Sequence, residues 1–117
     1  MNLINRLFGT PAPAVGATEL REKLTGADAP FLLDVRQPEE YRGGHIAGAR
    51  LIPLGELAAR LGELPKDREI ACICASGSRS VAAARQLMVA GYTVINLTGG
   101  MMAWQRANLP VKTGSAR

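Results

Sequence analysis

Near-continuous apolar runs constrain this chain more than any other feature. Phe31-Leu32-Leu33-Asp34-Val35, Glu69-Ile70-Ala71-Cys72-Ile73-Cys74 and Tyr92-Thr93-Val94-Ile95-Asn96 are each short, rich in branched side chains and bounded by turn residues. A strand with one wet face alternates polar and apolar residues. A run without that alternation belongs to a strand covered on both faces. Segments of helical character separate these runs. A helix is expected from Thr18, as N-cap, through Leu24, with Glu19 and Glu22 in its first turns. Pro38 opens a short helix that stops at Gly43-Gly44, a strand follows near Arg50-Leu51-Ile52, and a helix runs from Gly55 to Leu61 before the Leu64-Pro65-Lys66-Asp67 turn. An Ala-rich helix from Ser80 to Val89 ends at Gly91, and a last helix around Met101 to Arg106 follows Gly99-Gly100. Strands alternating with helices give an α/β fold with a parallel sheet flanked by helices on both faces. Sites in such sheets gather at the carboxyl ends of strands, where Cys74 lies.

At 117 residues the chain has room for one such core and not for two. Residues 1–14 read as a tail and linker. Leu3, Ile4, Leu7 and Phe8 share one side of a short amphipathic turn before a Gly-Thr-Pro-Ala-Pro-Ala stretch, and residues 113–117 form a C-terminal tail. No stretch approaches the roughly 20 apolar residues of a membrane helix, and the start is too short and interrupted for a signal-peptide core. A cytoplasmic location is therefore expected. Cys72 and Cys74, two apart in an extended strand, suit free thiols in a reducing compartment.

The net charge is +4, but every Asp and Glu lies at or before Glu69. Beyond it stand Arg79, Arg85, Arg106, Lys112 and Arg117 with no acid among them, which fits either a solvated basic face or a half built to receive anions. Nucleic acid is not an expected partner, because the basic residues are dispersed and only 4% of the chain is aromatic.

The segment Cys74-Ala75-Ser76-Gly77-Ser78-Arg79-Ser80 joins a buried strand to a helix through small residues. Small side chains let the backbone curl so that successive N–H groups point inward, and the helix that follows adds the positive end of its dipole. An ordinary thiol is mostly protonated at neutral pH, and the thiolate is the nucleophile. Loop N–H groups and Arg79 would supply the stabilisation Cys74 needs. His45 is the one histidine of the chain, so no Cys–His pair can be built from any other residue. It lies in a Gly-Gly-His-Ile-Ala-Gly turn and is read chiefly as a structural residue of that turn, with contact to the active loop as the alternative.

Four segments, Leu33 to Tyr41 (LDVRQPEEY), Gly44 to Ala49 (GHIAGA), Cys74 to Ser80 (CASGSRS) and Gly99 to Trp104 (GGMMAW), resemble in order and spacing the signatures of rhodanese domains. The resemblance covers roughly residues 15–112. It implies a rhodanese-like fold, a five-stranded mostly parallel sheet flanked by helices, with Cys74 accepting a sulfane sulfur as a persulfide and passing it on. Thiosulfate is the implied kind of donor and a thiol or cyanide the acceptor, with no metal or organic cofactor. Four residues separate Cys74 from Arg79. The phosphatase and arsenate-reductase branch of the fold carries one more by resemblance, making a wider ring for a tetrahedral oxyanion, so sulfur transfer is favoured. The remaining alternative is a persulfide carrier or a non-catalytic module that binds a partner protein.

Around Cys74 the candidate anion-binding residues are Ala75, Ser76, Gly77, Ser78, Arg79 and Ser80, with Asp34 and Arg36 in support. Arg79 is expected either to touch substrate or to pair with Asp34. Arg36 is read either as a rim cation or as a scaffold partner of Glu39 or Glu40. Ser76, Ser78 and Ser80 offer hydroxyls to the persulfide, Ser80 equally as a helix cap. Cys72 is read as a small buried hydrophobe, and Trp104 with Met101 and Met102 as core.

Overall fold

A computed structural model describes residues 11–115. The amphipathic turn expected at residues 1 to 8 lies outside them. Strands β1 (Ala14–Val15), β2 (Phe31–Asp34), β3 (Arg50–Leu51), β4 (Ile70–Ile73) and β5 (Val94–Leu97) form one sheet in the order β1-β5-β4-β2-β3. The helices are α1 (Ala17–Lys23), α2 (Pro38–Gly43), α3 (Leu54–Leu57), α4 (Ser78–Val89) and α5 (Gly100–Arg106), with a 3₁₀ segment at Ala58–Glu63. Among the described residues no helix is long and apolar enough to cross a membrane.

Each strand of the middle of the sheet sends alternate side chains to two cores, which is why its sequence runs apolar throughout. Leu32, Ala71, Ile73, Ile95 and Leu97 pack with Leu20 of α1, Tyr41 of α2, and Met101 and Trp104 of α5. On the other face Leu33, Ile70, Cys72 and Val94 pack with Leu57 of α3 and Ala83, Ala84 and Leu87 of α4. Alanines at the α4 contact let that helix lie close to the sheet.

All the strand pairs are parallel, a stricter arrangement than the mostly parallel one expected. Antiparallel pairing is confined, among the described residues, to an isolated bridge between His45 and Lys112. Strand β1 has no counterpart in the sequence reading, which placed Ala14 in the linker. Its two residues carry no readable period, and β5 holds it in place: the Asn96 N–H donates to the Pro13 carbonyl and the Thr98 N–H to that of Val15, both at 2.9 Å. Helix α1 is capped at Gly16 rather than Thr18 and makes no side-chain capping bond. The helix expected from Gly55 to Leu61 is broken, because Arg60 leaves the helical region at φ −121° and the segment tightens into 3₁₀ turns.

Candidate active site

Central strand β4 ends between β5 and β2, and Cys74 follows its last paired residue. From there the backbone must turn sharply into α4. Gly77 makes that turn at φ +109°, a left-handed conformation that a β-carbon would strain. The loop carbonyls have partners of their own. The Met101 N–H donates to the Cys74 carbonyl at 2.8 Å and the Met102 N–H to that of Ala75 at 3.0 Å, so the first turn of α5 draws both carbonyls toward itself. Gly99 and Gly100 make this approach possible: a β-carbon on Gly100 would collide with the Cys74 carbonyl oxygen.

With its carbonyls turned outward, the loop presents N–H groups to the sulfur. The Gly77 N–H donates to Cys74 Sγ at 3.0 Å. The protonated thiol donates to Ser80 Oγ at 3.3 Å, while the Ser80 hydroxyl donates to the Gly77 carbonyl at 3.1 Å. On ionisation that hydroxyl can rotate and donate to the thiolate instead. Burial works to raise the Cys74 pKa. The Ser80 hydroxyl and the N–H groups of Ser80, Gly77 and Ser76 outweigh it and hold the thiol below its ordinary value. Cys74 is closed to solvent, whereas Ser76 and Ser78 of the same loop are exposed. Cys72, buried without such donors, is pushed up to about 12 by burial and by the neighbouring Cys74 charge.

The charged residues are arranged differently from the expectation. Arg79 does not pair with Asp34. It forks onto Glu40, Nη1 to Oε1 at 2.7 Å and Nη2 to Oε2 at 2.8 Å. Glu40 also accepts the Gln37 N–H at 3.0 Å, completing the capping box of α2. Its carboxyl is lowered to about 2, chiefly by the Arg79 hydrogen bonds against an opposing cost of burial. Asp34 is claimed by Arg36 instead, through Nε at 2.9 Å and Nη2 at 2.8 Å. Arg36 further donates to the carbonyls of Glu40 at 3.2 Å and Gly44 at 2.8 Å. Its side chain is 6% exposed, so it is a scaffold residue and not a rim cation. It meets Glu40 only through the backbone.

Glu40 is the member of the constellation that sequence reasoning missed. One signal for it existed: Arg79 has no acid in its own half of the chain, so a partner had to come from before Ile70. His45 is buried, with Nδ1 2.7 Å from the Tyr41 carbonyl and its ring stacked on Tyr41, and it serves the turn. Trp104 and Met101 are core, while Met102 is exposed.

The model of the rhodanese-like domain family matches residues 16–107. A sulfurtransferase of Allochromatium vinosum is 38% identical over 98 residues, 83% of this chain and 92% of that protein. A helix-turn-helix transcriptional regulator of Mycobacterium tuberculosis is 40% identical over 111 residues, 93% of this chain but 49% of the regulator, so the chain spans about half of that relative. Among solved structures, a rhodanese-related protein from Thermoplasma volcanium superposes with a TM-score of 0.82 at 34% identity, over 87% of this chain and 99% of that one.

Proposed function

Because this chain belongs to the rhodanese-like domain family, we propose that it is a sulfurtransferase in which Cys74 takes up a sulfane sulfur as a persulfide and hands it to a thiophilic acceptor. The observation that carries the reading is Cys74 Sγ facing the Gly77 N–H at 3.0 Å inside a six-residue loop from Cys74 to Arg79.

The Cys74 thiolate attacks the outer sulfur of a donor such as thiosulfate. A new S–S bond forms, the donor's S–S bond breaks, and sulfite leaves with the electron pair. The resulting Cys74–S–S⁻ carries one negative charge on its terminal sulfur, within reach of the N–H groups that stabilise the thiolate. An acceptor, a thiol or cyanide, then attacks that sulfur, and the Cys74 thiolate departs as the leaving group. Both steps are displacements at sulfur and call for no metal or organic cofactor. Two free thiols suit the reducing cytoplasm.

Intact-mass measurement after incubation with a donor should show one added sulfur, and Cys74→Ser should abolish it. An unchanged wild-type mass with both thiosulfate and an organic thiosulfonate would overturn the proposal. A carrier role, in which a partner protein receives the sulfur, is the second reading, and a loop whose one charged side chain, Arg79, is already paired with Glu40 favours it. Slow turnover with cyanide beside fast transfer to a protein thiol would select it. Phosphate ester or arsenate chemistry is disfavoured by the four-residue spacing, and a phosphate-release assay should read zero.

A further inference from the structure

The Cys74 loop opens beside a single ion pair. Arg79, in the first turn of α4, and Glu40, in the first turn of α2, are 35% and 34% exposed and joined by two short hydrogen bonds. Among the described residues Arg36 is the other cation supporting this edge of the sheet, and it is spent on Asp34. The cradle therefore stabilises an anion with N–H dipoles while its one charged side chain is matched by a carboxylate.

We propose that Glu40 is a specificity-determining residue: by holding Arg79 in a forked pair it cancels the positive field at the loop, so that sulfane donors of low charge are preferred over dianions such as thiosulfate. The inference rests on the sulfurtransferase reading. Glu40 does not touch the sulfur and meets the loop only at its last residue, Arg79. It acts through Arg79, and its attachment to the Gln37 N–H keeps it in place whether or not a donor is bound. A dianion arriving at the loop meets a neutralised pair in place of a free guanidinium, so its second charge finds no net attraction in a partly desolvated site.

Two donors separate this effect from chemistry. Thiosulfate carries two charges. Methanethiosulfonate replaces one charged oxygen by a methyl group and carries one. With the second donor the Cys74 thiolate again attacks the outer sulfur, the S–S bond breaks, and methanesulfinate leaves with the electron pair. The ratio of kcat/KM for thiosulfate to that for methanethiosulfonate cancels any change in thiolate fraction, because both donors meet the same nucleophile. In Glu40→Gln, which keeps an oxygen for the Gln37 N–H and removes only the charge, this ratio should rise about tenfold, mainly through a lower KM for thiosulfate. Adding Arg79→Met to that variant should abolish the gain. In Arg79→Met alone the uncovered carboxylate should lower the ratio below that of the wild type, which keeps the test open if Glu40→Gln folds poorly. An unchanged ratio in Glu40→Gln, or equal losses for both donors, would overturn the proposal. Absence of sulfur loading from either donor in the wild type would sink the sulfurtransferase reading instead.

Discussion

Cys72 and Cys74 stand two residues apart, both closed to solvent and both in the core on the α4 side of the sheet, yet their thiols are pushed in opposite directions. Cys72 lies within β4, in register with Leu33 of β2 and Asn96 of β5. The backbone groups around it are committed to the sheet, and what remains is an apolar setting that penalises charge. Cys74 lies one step past the last paired residue, where the chain is free to turn and its N–H groups can face the sulfur. Burial makes a cysteine inert unless the backbone beside it is released from the ladder. The end of a strand is where that release happens.

The largest consequence is a separation of the two thiols by ionisation, read by ultraviolet absorbance of the thiolate. Wild-type protein should show one step below the ordinary thiol value, and Cys74→Ser should remove it and leave only a Cys72 step that burial keeps above that value. The sign follows from the lowered pKa: as pH falls, Cys74 keeps its thiolate to a lower pH than an ordinary thiol does, and sulfur loading declines as pH drops through the lowered value. A single high step in the wild type would break the comparison.

Gly100→Ala should act next, on the frame that turns the loop outward. The new β-carbon would meet the Cys74 carbonyl oxygen and lie 2.8 Å from the Ala75 carbonyl, at a residue with φ +56°. A loss of about 3 kcal/mol in unfolding free energy is expected. Gly62→Ala, with open space around it, should stay within about 0.5 kcal/mol. Equal unfolding midpoints for the two variants would show that the loop is not held by α5.

Ser80→Ala is the smallest and most selective change. It removes the hydroxyl that reaches both Sγ and the Gly77 carbonyl, so the Cys74 step should move up, and loading at neutral pH should slow about three- to tenfold. Ser80 does not cap the helix, whose N-cap is Gly77, so loss of stability without movement of the thiolate step would leave Ser80 only its bond to the Gly77 carbonyl.

Much of this arrangement was legible in the chain. The apolar runs marked β2, β4 and β5, the Pro38 and Gly43 signals bounded α2, and the loop from Cys74 to Arg79 stood out by its small residues. Strand β1 was not legible, because two residues carry no period and β5 alone makes them a strand. The partner of Arg79 was not legible either. Asp34 ends the neighbouring strand and looked suitable, but Arg36, two residues on, reaches it with both Nε and Nη2, while Arg79 forks onto Glu40.

By itself the sequence determined the layering of strands and helices, the position of a nucleophilic sulfur at a strand end, and the length of the loop that follows. These depend on neighbouring residues, on periodicity and turn chemistry, and so can be read along the chain. Tertiary structure decided which carboxylate meets Arg79, which cation is buried, and which way the loop carbonyls point. Those outcomes depend on how parallel strands bring the first turns of α2, α4 and α5 together, with Glu40 and Arg79 39 residues apart in the chain, and no local spacing encodes such a meeting. The charge that surrounds the sulfur is therefore a property of the fold, while the sulfur's place in it is a property of the sequence.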